Sequence, residues 1–341
     1  MQVRPYNDAD AEQWHHYVLS HPSATVFHRL AWANSVQHAY GHEARHLTAW
    51  EQDRLVGVLP LFLVKSAFVG RVLVSVPYAT YGGIVADTGE SARALLDAAE
   101  GLCRDLGAEY LELRHRDAND FGLPEIDKYD TFRKQLPEKA EDILPCLPRK
   151  TRAAARKGLD MLSVDIGPEH LDTIYDLYSI TLRRLGSPNY RRGLFRTLQE
   201  EFGEDCVCLV VKEGDRPLAG VVSFVFRDEI VPYFSGSLDE GMEKNANNVM
   251  YVKLMEYAVH RGLRWFDFNR SRRDNHGPHA FKRYHGFEPT PLHYQVSLNK
   301  ASRLPNLSPS NSKFALAIKL WRRLPLWATR AAGAFVTRWI P

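Results

Sequence analysis

Apolar and polar residues along this chain follow a pattern that occurs twice. Residues 47–64 contain two apolar runs separated by a polar turn at Glu51–Arg54, which predicts a β-hairpin. Residues 209–226 repeat the pattern, and Asp215–Arg216 stand where the first copy has Asp53–Arg54. The sequence therefore predicts a similar hairpin in each half of the chain.

A helix that ends at a glycine before a short strand also occurs twice. In residues 103–115 the glycine is Gly107, and in residues 258–270 it is Gly262. Apolar residues at helical spacing extend the first helix back to Ser91, and the second helix has the same spacing. Because both blocks recur in the same order, we predict two similar α+β domains.

The prolines in residues 136–148 indicate a boundary between these domains. We therefore expect one domain at residues 1–140 and a second at 141–298, followed by a polar linker at 299–312 and a tail at 313–341.

Helix signals in the second domain and the tail are local and strong. Residues 149–158 predict a basic helix, and a second helix follows Pro168 and ends at Gly186. In the tail, two short helices are expected on either side of Pro325.

Composition excludes several classes of protein. With 341 residues, 45% hydrophobic and 25% charged, the chain is typical of a globular protein. It has no run near the roughly 20 apolar residues of a membrane span, and its polar beginning lacks a secretion signal. Four cysteines are too few and badly spaced for a disulfide framework or a zinc site. We expect a cytoplasmic globular protein.

Charge is distributed unevenly along the chain. Glu288 is the last acidic residue, and eight Lys or Arg residues follow it. The net charge of +3 therefore divides into −5 for the first 288 residues and +8 for the last 53. This asymmetry predicts a globular body with a basic appendage that meets an anionic partner, either a membrane lipid or a nucleic acid.

Residues 265–289, WFDFNRSRRDNHGPHAFKRYHGFEP, carry the richest candidate chemistry. A short strand leads into a glycine-containing loop, where functional side chains are common. Cations gather there and suit phosphates or a developing oxyanion, unless the segment is only a solvated basic loop. These cations are Arg270, Arg272, Arg273, Lys282 and Arg283. The spacing of His276, His279 and His285 matches no metal-ligand pattern, so no metal is expected.

Some catalytic signatures are missing from the sequence. Acetyl-CoA binding normally needs a glycine-rich turn before a helix, whereas the stretch before the late helix reads GMEKNANNVMYVK. No G-x-S-x-G elbow or Cys/His nucleophile pair occurs. Cys206 and Cys208 alternate along a predicted strand and are expected to be buried core thiols.

These segments resemble the FemABX family of non-ribosomal peptidyltransferases. The resemblance is carried by LPRKTRAAARKGL and WFDFNRS…GPHAFKRYHGFEP in the second half, and by VFHRLAWANSVQHAYG and PYATYGGIVAD in the first. It extends to the FemAB-related subgroup associated with exosortase and PEP-CTERM systems in exopolysaccharide-producing bacteria, whose basic, Trp-rich tail is also similar. The resemblance implies an α+β fold of two tandem GNAT-like domains, here with a basic amphipathic helical tail.

The family transfers an amino acid from aminoacyl-tRNA to the stem peptide of a peptidoglycan precursor. Its late Phe-Lys pair corresponds to Phe281–Lys282, and the resemblance implies that the lysine stabilises charge during acyl transfer. The sequence does not identify a base for the incoming amine. Asp267 and Tyr284 are candidates, although Asp267 also suits a structural role on its strand.

The chain departs from the family at its predicted acceptor site. Some members have a phosphate-binding lysine soon after the opening tryptophan, whereas Trp32 is followed here by no nearby cation. A lipid-linked or polysaccharide acceptor therefore fits better than a nucleotide-linked one. The residues expected to bind substrate or phosphate are Arg270, Arg272, Arg273, Tyr190, Arg191 and Trp32.

The basic helix and the tail each have two interpretations. The helix is expected to hold tRNA or to be merely solvated, and its cations are Arg149, Lys150, Arg152, Arg156 and Lys157. The tail is expected to lie on an anionic inner membrane or to dock on the body through its apolar side. The predicted membrane contacts are Trp321, Arg322, Arg323, Trp327 and Trp339, beside other tail residues that include Lys313 and Phe314.

Two functional hypotheses follow. The first is a FemAB-like aminoacyltransferase or N-acyltransferase, peripheral to the inner membrane, that acts on a peptidoglycan or exopolysaccharide precursor. It would use aminoacyl-tRNA or a carrier-bound acyl group, and no cofactor, metal or DNA is expected. The second is a non-catalytic, membrane-recruited component of an envelope assembly system.

Overall fold

A computed structural model describes residues 1–67, 69–303 and 315–340 of the chain. The described residues divide into two compact units. Unit 1 comprises residues 1–128, 291–303 and 335–340, and unit 2 comprises residues 129–290 and 315–334. The predicted linker residues 304–312, together with Lys313 and Phe314, lie outside the described residues.

The elements are numbered in chain order, with 3-10 turns left unnumbered. The helices are α1 (Ala11–Ser20), α2 (Leu30–Tyr40), α3 (Gly89–Asp105), α4 (Ile143–Cys146), α5 (Arg149–Leu159), α6 (Leu171–Leu185), α7 (Arg192–Phe202), α8 (Asp239–Glu243), α9 (Ala246–His260), α10 (His276–Tyr284), α11 (Ala315–Trp321) and α12 (Leu326–Val336). The strands are β1 (Gln2–Pro5), β2 (Glu43–Ala44), β3 (Leu47–Glu51), β4 (Arg54–Leu59), β5 (Phe62–Ser66), β6 (Gly70–Val74), β7 (Val85–Ala86), β8 (Tyr110–His115), β9 (Tyr129–Thr131), β10 (Arg133–Gln135), β11 (Ser163–Ile166), β12 (Cys206–Glu213), β13 (Arg216–Phe226), β14 (Glu229–Ser237), β15 (Trp265–Asp267), β16 (Ser271–Arg272), β17 (Thr290–Pro291) and β18 (His293–Leu298).

Unit 1 contains two sheets, in the orders β1-β3-β4-β7 and β18-β8-β6-β5-β2. The predicted hairpin is β3–β4, and the predicted helix is α3. This helix begins at a capping box in which the Thr88 side chain accepts a hydrogen bond from the Ser91 amide at 3.1 Å. It packs closely on the hairpin, since a Cβ atom at Gly57 would lie 2.8 Å from the Leu95 side chain.

The main sheet of unit 2 has the order β10-β15-β14-β13-β12-β11, and β9 pairs with β16 in a smaller sheet. The second predicted hairpin is β12–β13, while β14 and β15 pair in parallel. Helices α5 and α9 approach so closely that a Cβ atom at Gly158 would lie 2.6 Å from Val249 Cγ2. As expected, Cys206 and Cys208 are buried thiols, 6% and 1% exposed.

The unit boundaries differ from the predicted domain boundaries. Residues 129–140 belong to unit 2, because β10 pairs with β15. The proline-rich segment 136–148 is not the boundary, since Ile143 and Leu147 are buried in the core of unit 2. Strand β18, which the sequence assigned to the second domain, pairs with β8 in unit 1. Pairing between distant strands leaves no mark on local periodicity, so these boundaries could not be read from the sequence.

Three of the buried imidazoles in unit 1 have a lowered pKa. Desolvation lowers the pKa of His28 and of His46 to about 4, and the pKa of His115 to about 3. Two of these rings also accept hydrogen bonds from the backbone. His46 Nδ1 accepts from the Leu61 amide at 3.0 Å, and His115 Nε2 accepts from the Ile84 amide at 2.9 Å.

We expect these imidazoles to make unit 1 acid-sensitive. Below about pH 6.5 these histidines are protonated in the unfolded chain but remain neutral in the folded unit. The free energy of unfolding should therefore decrease as the pH is lowered from about 6.5 to 4. For His46 alone the loss is on the order of 3 kcal/mol. Denaturant unfolding at a series of pH values measures it. His46→Asn should flatten this dependence, whereas replacement of the exposed His15 should not; equal slopes for both variants would contradict the assignment.

Candidate active site

The candidate site lies where the two parallel strands of unit 2 cease to pair. Strands β14 and β15 are matched only at Glu229–Trp265 and Ile230–Phe266. Beyond β15 the chain turns at Asn269, which has a φ of 60° and whose Nδ2 atom donates to the Pro232 carbonyl at 2.8 Å. Asn tolerates this left-handed conformation better than most residues. The turn directs the following residues toward α10.

Lys282 is buried in this site, with 9% of its surface exposed. Its Nζ atom donates to the carbonyl oxygens of Asn269 at 2.7 Å and Arg270 at 3.0 Å. The pKa of Lys282 is lowered to about 7, mainly because burial disfavours the charged ammonium. The nearby Asp267 charge raises this pKa, and the Arg270 charge lowers it. An ammonium has three N–H donors, and among the described residues only these two hydrogen bonds engage them.

The Asp267 carboxylate holds the turn in place. The residue is fully buried at the end of β15, and its Oδ1 atom accepts from the Asn269 amide at 2.7 Å and from Thr131 at 3.3 Å. These contacts support the structural role that the sequence offered as the alternative to a base. Asp267 fixes the turn whose carbonyl groups bind Lys282.

His279 lies one helical turn before Lys282 and is paired with an acid that the sequence analysis missed. Its Nε2 atom is 3.0 Å from Oδ2 of Asp130, and Arg273 Nε donates to the other oxygen of this carboxylate at 2.7 Å. Asp130 is only 6% exposed. The His279 ring centroid is 4.9 Å from that of Phe132, and Lys282 Nζ lies 5.1 Å from the same ring. The imidazole and the ammonium therefore share one aromatic neighbour.

Asp130 gave only a weak sequence signal. It lies in the short strand β9, opposite Ser271 of β16, and 149 residues separate it from His279. A single acidic residue in a short, polar stretch is ordinary, so only the tertiary structure identifies the pair.

The remaining predicted residues of this segment have separate surroundings. Phe281 packs against His285 with ring centroids 4.3 Å apart. Tyr284 is 67% exposed, so the structure does not bring it into the buried cluster. Arg270 lies over the ring of Tyr129 at 4.8 Å, and Arg272 forms hydrogen bonds with both carboxylate oxygens of Asp274.

The other predicted binding residues lie apart from this cluster. The structure corrects the prediction for Trp32. This residue is fully buried in unit 1, with its ring centroid 4.7 Å from that of Phe27, so it is a core residue rather than a binding one. In unit 2, the Tyr190 ring lies 5.8 Å from Phe234, and Arg191 Nε donates to the Ala334 carbonyl at 3.1 Å.

The basic helix α5 has one packed and one exposed face. Thr151, Ala155 and Gly158 are buried, while most of its cations are exposed. Arg152 donates to the Pro145 carbonyl at 2.9 Å. The exposed cations, which form no ion pair among the described residues, are Arg149, Lys150, Arg156 and Lys157.

The predicted membrane contacts fall in two units. In unit 2, Trp327 is 74% exposed and Trp321 is half-buried, while Arg322 donates to the Leu185 carbonyl at 3.2 Å. Arg323 is exposed. In unit 1, the carbonyl oxygen of Trp339 accepts from Ser66 at 2.5 Å.

Neither a metal-binding cluster nor a membrane-spanning helix occurs among the described residues. No group of three or more His, Cys, Asp or Glu side chains suited to a metal ion occurs in that part of the chain. Within residues 1–67, 69–303 and 315–340, no helix is both long and apolar enough to cross a membrane.

The acetyltransferase (GNAT) domain family matches residues 147–283, which lie in unit 2 and include the cluster around Lys282. No curated protein sequence matches the chain. The residues of unit 2 are therefore similar in sequence to this acetyltransferase domain family.

Solved structures extend the similarity to nearly the whole chain. FemX is 16% identical, with 88% of this chain and 98% of that chain covered and a TM-score of 0.70. A tandem GNAT protein from the clavulanic acid biosynthesis pathway is 14% identical, covering 87% and 98%, with a TM-score of 0.57. The C-terminal domain of a protein named as a lysylphosphatidylglycerol synthetase, from Agrobacterium fabrum, is 14% identical, covering 86% and 93%, also with a TM-score of 0.57.

At these identities the similarity concerns the fold. The predicted fold class is confirmed: the chain has the mixed α/β architecture of two tandem GNAT-like domains, with helices at its C-terminal end. It is the fold of GNAT-type acyltransferases.

Proposed function

We propose that this protein transfers an aminoacyl or other acyl group from an activated donor to an amine of a cell-envelope precursor. The observation that carries the proposal is the buried ammonium of Lys282, fixed by two carbonyl oxygens beside the His279–Asp130 pair. A fixed cation next to an oriented imidazole supplies what acyl transfer to an amine requires, namely oxyanion stabilisation and a proton acceptor.

The reaction joins an acceptor amine to an acyl group held by the donor as an ester or thioester. His279 keeps its Nε2–H in a hydrogen bond to Asp130 Oδ2, so that unprotonated Nδ1 takes a proton from the amine as its nitrogen attacks the acyl carbonyl. The resulting oxyanion receives the third N–H of Lys282. The C–O or C–S bond then breaks, and the leaving oxygen or sulfur takes the proton from His279. No covalent intermediate with the protein is needed.

Exposed cations on α5 support aminoacyl-tRNA as the donor. Four Lys or Arg side chains face solvent there, and nucleic-acid phosphates bind such groups. The segment before α9 has no glycine-rich turn to bind a donor pyrophosphate, and the nearby cations Arg184, Arg216 and Lys244 are already paired with Asp239 and Glu240 of α8. A protein named as a lysylphosphatidylglycerol synthetase shares the fold, and that name refers to an aminoacylated lipid.

An envelope precursor as acceptor is supported by the sequence resemblance to the FemABX peptidyltransferases and by the shared fold of FemX. The absence of a cation soon after Trp32 favours a lipid-linked or polysaccharide acceptor over a nucleotide-linked one.

A transfer assay read by mass spectrometry tests this function. The purified protein is incubated with a pool of charged tRNAs, or with acyl-carrier thioesters, and with lipid-linked, nucleotide-linked and polysaccharide acceptors. A mass gain of one acyl group that is lost in Lys282→Met supports the proposal. The absence of any gain across the panel would overturn it and favour a non-catalytic envelope component.

His279→Gln is expected to lower the transfer rate by about 10²–10⁴-fold, because glutamine keeps a donor for Asp130 but provides no basic nitrogen. Transfer rates of the two proteins, measured at one pH with saturating donor and acceptor, test this loss.

His276→Gln is the matched control, since His276 is an exposed imidazole on the same helix and its replacement should leave the transfer rate unchanged. A wild-type rate in His279→Gln would remove this residue from the mechanism.

A further inference from the structure

The described tail residues 315–340 carry positive charge and no compensating acid. Five cations and no Asp or Glu occur in this segment: Lys319, Arg322, Arg323, Arg330 and Arg338. The segment of unit 2 that ends at residue 334 comprises α11 and most of α12. One face of each helix is docked on unit 2, and the other face is exposed.

Helix α11 docks through Ile318 and Arg322, which are four residues apart. Gly186 closely approaches Ile318, since a Cβ atom there would lie 2.5 Å from Ile318 Cγ2. Arg322 donates to the carbonyl oxygen of Leu185. Gly186 also has a φ of 80°, so a glycine is favoured here both by the close contact with Ile318 and by the left-handed backbone conformation.

Helix α12 docks through small residues and one ion pair. Thr329 is fully buried, and a Cβ atom at Gly333 would lie 2.5 Å from the Asn189 amide nitrogen. Arg330 Nη2 donates a hydrogen bond to Asp176 Oδ1 at 2.8 Å. The docked faces therefore contain little of the large apolar surface that this segment carries.

Large apolar side chains are on the opposite faces. Leu316 is 68% exposed, Leu320 is 55% exposed and Trp327 is 74% exposed, with Leu324 between them at 39%. Leu316 and Leu320 are one helical turn apart, and the exposed Lys319 and Arg323 flank them at helical spacing. A helix stabilised only by docking would bury its leucines and tryptophan and expose its small residues. An exposed apolar patch with cations around it indicates a binding surface.

We propose that this face of the tail binds the surface of an anionic lipid bilayer. The proposed surface consists of Leu316, Lys319, Leu320, Arg323, Leu324 and Trp327. The apolar side chains enter the boundary between headgroups and acyl chains, and the two cations bind lipid phosphates. The absence of acidic residues matches the negative charge of such a membrane, while aliphatic side chains on the same face have no role in binding nucleic-acid phosphates.

The test is vesicle co-sedimentation of the full chain. Wild-type protein should bind phosphatidylglycerol-containing vesicles, should bind pure phosphatidylcholine vesicles much less, and should be released by high salt. The double variant Leu320→Glu with Trp327→Glu should lose affinity for the anionic vesicles by at least about tenfold, since two inserted side chains are removed.

The double variant Met161→Glu with Met242→Glu is the matched control. Both methionines are 44% exposed outside the tail, and the change in net charge is the same. Equal loss in both double variants, or wild-type binding in the tail variant, would overturn the proposal. Tail-dependent binding of RNA in place of vesicles would also overturn it. The experiment measures binding alone, so its outcome does not depend on the proposed transfer reaction.

Discussion

Lys282→Met is expected to lower the acyl-transfer rate by about 10²–10³-fold, the range observed when a donor to a developing oxyanion is removed. Methionine has a similar length but supplies no N–H for the tetrahedral intermediate. The fold should persist, because the loss of two hydrogen bonds to Asn269 and Arg270 is offset by relief of a buried charge. We expect the free energy of unfolding to change by less than about 2 kcal/mol.

Arg283→Met is the matched control for this variant. Arg283 is the next residue of α10, but its side chain is exposed. The control removes the same formal charge and should retain the wild-type rate. A Lys282→Met enzyme that transfers at the wild-type rate would exclude Lys282 from the chemistry, and so would equal losses in both variants.

The pH dependence of the rate is a second readout of Lys282. Because the pKa of Lys282 is lowered to about 7, its ammonium loses a proton as the pH rises through that value. The transfer rate should therefore fall on the alkaline side of about pH 7, and Lys282→Met should remove this decrease from its residual rate. A wild-type rate that rises through the same range would instead indicate that neutral Lys282 accepts a proton.

Arg114→Met is expected to destabilise unit 1 by about 3–5 kcal/mol, because it leaves a buried carboxylate without its partner. Arg114 is 4% exposed and Glu112 is 9% exposed, and Arg114 Nε donates to Glu112 at 2.7 Å. Arg114 also donates to the carbonyl oxygens of Val76 at 2.9 Å and Ala79 at 3.1 Å, so it fixes the loop after β6. Denaturant unfolding, monitored by circular dichroism, measures the change.

Two further variants distinguish the buried pair from other losses. Adding Glu112→Leu to Arg114→Met should restore part of the lost stability, since no unpaired carboxylate then remains. Arg93→Met, at an exposed position, should change the free energy of unfolding by less than about 0.5 kcal/mol. The pairing energy would be contradicted if the double variant lost as much free energy of unfolding as Arg114→Met and Glu112→Leu lose separately in sum.

The elements were predictable because they follow local periodicity. The two hairpins, the helix that became α3 and the glycine after it were all visible as apolar spacing and stop signals. The basic helix α5 and the break at Pro325 were equally local. For the site, Lys282 came from a family resemblance, and the structure places it in a buried cluster.

By itself, the sequence determined the type and approximate ends of many elements, the duplicated order and the charge asymmetry of the tail, because each depends on neighbours within a few turns. Tertiary structure alone decided that β18 pairs with β8, that Asp130 meets His279, and that Trp32 lies in a core. It also decided which face of the tail is docked. These features join residues distant in the chain, and hydrogen-bond partners at such separations are selected by packing rather than by local pattern.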